Sequence, residues 1–346
     1  MKLTSGLEKS FYSYNMDSEY KRYLFVQKVR NITPSYEYRN IIERWVLSMA
    51  NLTVKKRPDP VFVKTTLEEP INQKMMQELI EKRIIPNEED ARSFVEKLIK
   101  MTDRFIKSPG AVLNGKNNGP GVVELNRGTV KYKTFSFCIP EPRMRLLLEI
   151  AEYNSAPDPE EAVARMVMRY ASLGLGSQQW TVPFRNYQHL YKKYGVRVEG
   201  FSSPINSQLL AVNYRDTKIC TLFPDTDHWF NSIGPFFEAP IENTGLVVNP
   251  PFIEDILARA AERCVELGKK KSVLSFYIMP AWKDSEAFDI VEKESDYYVD
   301  LKKNTYQYSD SVSNKYIKAK FKSIMAVFGG KSNEDYSNMT DGFVIS

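Results

Sequence analysis

The chain has 346 residues, of which 42% are hydrophobic, 12% aromatic and 26% charged, with a formal net charge of +5. These are globular values with room for one large domain or two ordinary ones; no run reaches the roughly eighteen apolar residues of a membrane span, and Met1-Lys2-Leu3-Thr4-Ser5 opens no secretory apolar region. A soluble intracellular protein with no membrane association is expected, nucleus and cytoplasm both open. Cys138, Cys220 and Cys264 lie far apart and are odd in number, which argues against a disulfide framework, and with His189 and His228 they form no zinc-ligand spacing, so no metal is expected.

In chain order, residues 1–182 read as a mainly helical domain. Apolar residues recur at helical spacing from Ile41 to Met49 and from Ala91 to Met101, and Pro86-Asn87-Glu88-Glu89 offers a helix start with carboxylates in the first turn. Gly, Asn and Pro crowd the stretch from Ser108 to Gly121, the composition of a loop. A strand is expected over Tyr132–Ile139, then helices over Arg143–Tyr153 and Pro159–Leu173, the latter capped by Asp158 and ended by Gly174 and Gly176.

After Pro183 the texture changes. A helix, Phe184–Tyr194, closes at Gly195, and strands follow over Val196–Phe201, Ile219–Phe223, Gly245–Val248, Ser272–Met279 and Ile324–Phe328. An amphipathic helix from Ile253 to Leu267, closed by Gly268, separates the third strand from the fourth. Strand, helix, strand at this spacing is a parallel α/β unit, so the fold class is α/β with an N-terminal mostly helical domain. The α/β domain covers 183–330, and residues 331–346 read as a loose polar tail.

Asn249-Pro250-Pro251-Phe252 ends the third strand. The Asn side-chain carbonyl and the carbonyl of Pro250 can accept both hydrogens of a planar amine, and the prolines fix φ and remove donors. Phe252 offers a ring on which a base can stack. In parallel sheets ligands bind beyond the carboxyl ends of strands, where this tetrad falls. Upstream, Glu199-Gly200-Phe201-Ser202-Ser203-Pro204-Ile205-Asn206 follows a strand as an acid and a small-residue loop, similar to the first motif of amino-methyltransferases that use S-adenosylmethionine, acid-x-Phe-x-Gly-x-Gly, with Ser-Ser-Pro where glycines are expected. Glu199 could meet an ammonium, and Ser202 and Ser203 allow close backbone approach. In Phe223-Pro224-Asp225-Thr226-Asp227-His228-Trp229, Asp225 first and Asp227 second are candidates for ribose hydroxyls, with an Asx turn or N-cap as the alternative. His228 reads as a packed or surface residue, because a sulfonium donor needs no general base.

The densest basic groups are Lys55-Lys56-Arg57, Lys269-Lys270-Lys271 and the set Lys315, Lys318, Lys320, Lys322, the last interleaved with Tyr316, Ile317 and Phe321. Cations between aromatics suit a surface that tracks a nucleic-acid backbone, and a solvated face explains any single cluster as well.

Taken in order, Tyr194 through Asn206, Phe223 through Asp227 with Gly234-Pro235, and Asn249 through Phe252 resemble the phosphorylated-CTD-interacting-factor family of cap-specific adenosine N6-methyltransferases. Met279-Pro280-Ala281-Trp282 is similar to the family's Pro-Glu-Trp, with Ala281 replacing the acid, and Tyr306-Gln307-Tyr308-Ser309 falls where a Glu-Tyr-Arg-Ser-like segment belongs. The resemblance covers roughly residues 170 to 330 and implies a helical domain with a Rossmann-like class I methyltransferase domain, S-adenosyl-L-methionine as cofactor, and capped RNA beginning with adenosine as partner. It implies Asn249, Pro250, Pro251 and Phe252 as catalytic residues, and Glu199, Phe201, Ser202, Ser203, Pro204, Asn206, Asp225 and Asp227 around the donor. Trp282 would lie near the acceptor, with Arg185, Lys283 and the Lys315–Lys322 group as candidates for cap and phosphate contacts. The WW domain of animal members is not expected here, and a compact version suits a viral or microbial member. Three readings stay open: cap-adjacent adenosine N6-methylation, methylation of DNA or internal RNA adenine, and a non-catalytic RNA-binding subunit.

Overall fold

The computed structural model describes residues 15–51, 59–109, 121–174, 179–331 and 334–345. Two compact units emerge, interleaved along the chain: one comprises 1–125, 130–137 and 164–175, the other 126–129, 138–163 and 176–346. A division at residue 182 falls inside the second unit.

The first unit holds α1 (Met16–Arg30), α2 (Tyr36–Asn51), α3 (Pro70–Glu81) and α4 (Glu88–Lys107). Asn15 and Asn87 cap α1 and α4 by accepting the amides of Ser18 and Asp90. Along α4 the buried stripe Ala91, Val95, Leu98, Thr102, Phe105 keeps helical period, and Phe105 stacks on Phe25 at 4.4 Å. The centre of this unit is charged. Glu19 and Arg169 pair at 2.5 Å, Arg22 bridges Glu19 and Asp59, and all four side chains are buried. Burial alone would raise the Glu19 carboxyl, but Arg169 and Arg22 prevail and hold it at about 2.

A three-stranded sheet runs in the order β1 (Val123–Asn126), β2 (Thr129–Tyr132), β3 (Phe135–Cys138), so the single strand expected over 132–139 is a meander. Next come α5 (Glu141–Tyr153) and α6 (Pro159–Ala171), where the Asp158 carboxylate accepts the amide of Glu161 at 2.9 Å as expected of an N-cap.

The second unit is built on a six-stranded sheet. Its elements are β4 (Trp180–Thr181), α7 (Phe184–Tyr194), β5 (Val196–Gly200), α8 (Gln208–Asn213), β6 (Lys218–Ile219), β7 (Gly245–Val248), α9 (Glu254–Lys271), β8 (Leu274–Pro280), α10 (Glu286–Glu294), β9 (Tyr297–Leu301), β10 (Gln307–Asp310), β11 (Lys315–Lys318) and β12 (Ser323–Phe328). The order is β6-β5-β7-β8-β12-β9, with the first four parallel and β12 antiparallel to both neighbours. Alternate residues of the central strands go to opposite faces. Leu246, Val248, Tyr277, Met279, Ile324 and Ala326 pack with Leu257, Ala261 and Cys264 of α9, while Val247, Phe276, Ile278, Met325 and Val327 pack with Tyr187, Leu190 and Tyr194 of α7. Both faces are covered, which is why these strands read as unbroken apolar runs.

Two expectations are corrected here. Gly268 does not close a helix: α9 continues to Lys271, and a Cβ at Gly268 would stand 2.9 Å from Cα of Gly329, so the glycine serves a close helix–strand approach. The tail is not loose. Tyr336, Met339 and Phe343 are buried in the α7-side core, and Asn186 donates to the carbonyls of Met339 and Asp341. Three well-spaced apolar residues in a polar segment suffice to dock it.

Candidate active site at the carboxyl edge of the sheet

β5 and β7 are adjacent and parallel, with Glu199 opposite Val247 and Gly200 opposite Val248, so the loop after Gly200 and the tetrad after Val248 leave the same sheet edge side by side. Asn249 Oδ1 is buried with no hydrogen-bond partner. Such an acceptor costs about 1–3 kcal/mol when left unpaired. Pro250 is buried and, like Pro251, donates nothing; Ile253 N–H donates to the Pro251 carbonyl at 2.7 Å, fixing the turn into α9. Phe252 is 36% exposed. It meets Phe321 at 5.7 Å and Trp282 and Tyr308 at 6.5 Å, all at steep angles of 71° to 88°, so none of these rings stacks parallel on it.

The loop after β5 is tightly organised. Phe201 adopts φ +56°, the left-handed region unfavourable for a bulky residue, and its ring is held by Phe236 at 4.8 Å and Phe237 at 5.5 Å. Asn206 Oδ1 accepts from Ser203 N–H at 2.8 Å and from the Ser202 hydroxyl at 3.1 Å, and Ser203 Oγ donates to Gln179 at 2.9 Å. Pro204 is buried in the same turn. The Glu199 carboxylate is given to the protein: Tyr187 Oη, Ser207 Oγ and the Leu209 amide donate to it at 2.8, 2.6 and 3.2 Å. Burial raises its pKa, against the pull of these donors and of Arg143. Arg143 in turn donates to the Ser207 carbonyl at 2.7 Å, its own pKa lowered by burial to about 10. Glu199 thus ties β5 to α7 and to the start of α8.

The remaining predicted residues are less concentrated. Asp225 and Asp227 sit on a single helical turn, Pro224–Asp227; Asp225 is partly exposed, whereas Asp227 is buried and accepts from the Thr226 hydroxyl at 2.9 Å. His228 Nδ1 lies 3.0 Å from the Pro224 carbonyl, an arrangement within its own turn. Trp282, 40% exposed, joins the tetrad through Phe252. Arg185 is exposed on the first turn of α7, two residues before Tyr187, and Lys283 lies 5.7 Å over Phe288. Neither shows a contact with the tetrad. Sequence reading missed Tyr187, Ser207, Gln179 and Trp180; Tyr308 was visible within the Tyr306–Ser309 segment, and Phe321 only as an aromatic beside lysines. Trp180, Tyr308 and Phe321 are stacked in series at 6.3 and 6.2 Å, with Tyr308 buried between two partly exposed rings. Lys55-Lys56-Arg57 lie outside the described residues. Among the described residues, no group of three or more His, Cys, Asp or Glu is placed to hold a metal, and no helix is long and apolar enough to cross a membrane.

Residues 150–311 match the family described as phosphorylated CTD interacting factor 1 WW domain. A human protein named mRNA (2'-O-methyladenosine-N(6)-)-methyltransferase is 32% identical over 120 residues, 33% of this chain and 15% of the human protein. A mouse protein of the same name is 29% identical over 117 residues. The chain thus spans about 15% of the length of these curated relatives.

Proposed function

We propose that the chain, which matches the phosphorylated-CTD-interacting-factor family over residues 150–311, belongs to that family and is an S-adenosylmethionine-dependent RNA methyltransferase acting on the N6 amine of the first transcribed adenosine of capped mRNA. The observation that carries this reading is the buried, unpartnered Asn249 Oδ1 at the end of β7, beside a half-exposed ring with no parallel partner. An unpaired buried acceptor is retained where something occupies it during function, and an exocyclic amine on a flat base fits both features.

We read the sheet order, with its antiparallel β12 inserted between β8 and β9, as a Rossmann-like class I methyltransferase core. The strained Phe201 and the buried polar turn Ser202–Asn206 suit a loop shaped for a nucleotide-like donor, with Asp225 taking its ribose and Asp227 supporting that turn. Glu199 positions the loop through Ser207 and Leu209. When bound, S-adenosylmethionine supplies an electrophilic methyl group. The chain's part is geometric. Asn249 Oδ1 and the Pro250 carbonyl accept the two N–H groups, which turns the nitrogen lone pair out of the ring plane; Phe252 holds the adenine by stacking, with Trp282 beside it, and Arg185 and Lys283 supply cationic contacts to the RNA. The amine releases one proton to solvent after the new N–C bond has formed, so no side chain need act as base.

Incubating the protein with labelled donor and short RNAs starting in adenosine, capped or uncapped, with or without 2′-O-methylation, alongside a DNA duplex, tests the proposal by nucleoside mass spectrometry. N6-methyladenosine confined to capped RNA is expected. Equal labelling of uncapped RNA or of DNA would move the substrate, and no product with RNA still bound would make the chain a silent subunit.

A further inference from the structure

We propose that the edge strand β11 and its continuation to Lys322 form a track for single-stranded RNA leading away from Phe252. The inference rests on the RNA substrate proposed above and deepens it, giving the Lys315–Lys322 group a path and a direction. From Tyr316 to Lys322 burial alternates. Tyr316, Lys318, Lys320 and Lys322 are exposed, whereas Ile317, Ala319 and Phe321 turn inward. Within β11, at about 3.3 Å per residue, alternate positions such as Tyr316 and Lys318 repeat at about 6.6 Å, comparable to the phosphate step of an extended strand of RNA.

The row has a free side and an end. β11 is the outer strand of the sheet β11-β10-β4, and its far edge is paired with no strand among the described residues. Phe321 contacts Phe252 at 5.7 Å, and the Lys322 carbonyl accepts the Ala281 amide at 2.9 Å, next to Trp282. The track therefore terminates at the ring on which the acceptor base is proposed to lie. Residues 315–322 hold four lysines and no acid. Asp310, opposite Lys315 in the hairpin register, spends its carboxylate on Val312 N–H, Ser313 N–H and the Ser313 hydroxyl. Among the described residues, none of the four ammonium groups has a carboxylate partner. The other basic group behaves differently: Lys269, Lys270 and Lys271 pair with Glu294, Glu266 and Glu242 at 2.6, 3.4 and 3.6 Å.

Lysines on an edge strand also prevent edge-to-edge association. That role accounts for one or two charges, but not for a tyrosine 59% exposed at the head of the row or for its ending on the aromatic cluster. Unpaired cations alternating with an exposed ring match the backbone-and-stacking chemistry of single-strand binding.

The test is fluorescence anisotropy with an uncapped single-stranded RNA of about 12 nucleotides across a salt series, with no methyl donor present. K315Q/K318Q/K320Q/K322Q should flatten the log–log salt dependence by about 3, from about 0.7 per phosphate contact, and weaken binding about a hundredfold near 0.15 M salt. The four-arginine version should restore both, Y316A should cost about a further tenfold, and K269Q/K270Q/K271Q should change neither. Wild-type slope and affinity in the glutamine variant would overturn the proposal. So would lysine-dependent binding of a polyglutamate peptide with RNA binding indifferent to the lysines, which would assign the surface to an acidic protein. Melting curves identify a misfolded glutamine variant, and the arginine and Tyr316 variants then decide. Because neither cap nor donor is involved, failure here leaves the methylation test standing, and failed methylation with lysine-dependent binding leaves the track standing.

Discussion

Asn249→Ala separates a residue kept for function from one kept for structure, because the two roles shift stability in opposite directions. Its Oδ1 is buried without a partner, so truncation removes an acceptor whose desolvation costs about 1–3 kcal/mol. Against that stands the packing of a partly exposed side chain, on the order of 1 kcal/mol. The balance lies between zero and about +2 kcal/mol, which at roughly 2–4 °C per kcal/mol is a melting temperature unchanged or raised by up to about 8 °C. The same substitution deletes one of the two acceptors proposed to align the amine, a loss of about 10²–10³ in turnover by comparison with oxyanion-hole donors. Calorimetry and single-turnover methylation on one preparation read both quantities. A variant that melts several degrees lower yet methylates at the native rate would show that Asn249 is structural, and the amine-binding argument would fail.

Three further outcomes follow from the packing. Glu19 is held at about 2 against an ordinary 4.5, so its contribution is present above pH about 4.5 and lost as pH falls toward 2; acidification over that range should cost about 3 kcal/mol in urea unfolding, and Glu19→Gln should abolish that slope. An unchanged acid slope in that variant would locate the sensitivity elsewhere. Phe343→Ala should destabilise by about 3–5 kcal/mol, since the ring is fully buried against Tyr306 and Tyr308; a shift under 1 kcal/mol in chemical denaturation would mean the C-terminal segment is not docked in solution. Gly200→Ala would bring a Cβ to 2.9 Å from Phe236 and should cost about 1–3 kcal/mol, read as a lower melting temperature; an unchanged melt would show that Phe236 yields freely.

The α/β half was legible because its strands are buried on both faces. Gly245–Val248, Phe276–Met279 and Ile324–Phe328 are unbroken apolar runs, each buried along its length. The tetrad was legible for a different reason: two consecutive prolines after an asparagine leave little conformational choice. α1 has no amphipathic signature, because its inward face carries Glu19 and Arg22, whose partners come from distant segments at Asp59 and Arg169. β9 is largely exposed and β10 and β11 are four residues each, too short for periodicity to show. Glu199 illustrates a limit of motif reading. Its place at the end of β5 predicts a ligand contact, whereas its oxygens go to Tyr187, Ser207 and Leu209, which no spacing rule links to it.

The position of β12 also sets a timetable for synthesis. β8 is complete at Pro280, but β12, its neighbour on the side away from β7, begins only at Ser323, and β9, made in between, pairs with no other strand among the described residues. At roughly 5–20 residues per second a ribosome needs about 2–9 s to bridge that gap, during which β8 presents an apolar, unpaired flank. A message broken within this interval would release a chain that cannot close its sheet, a product left to chaperones and proteases.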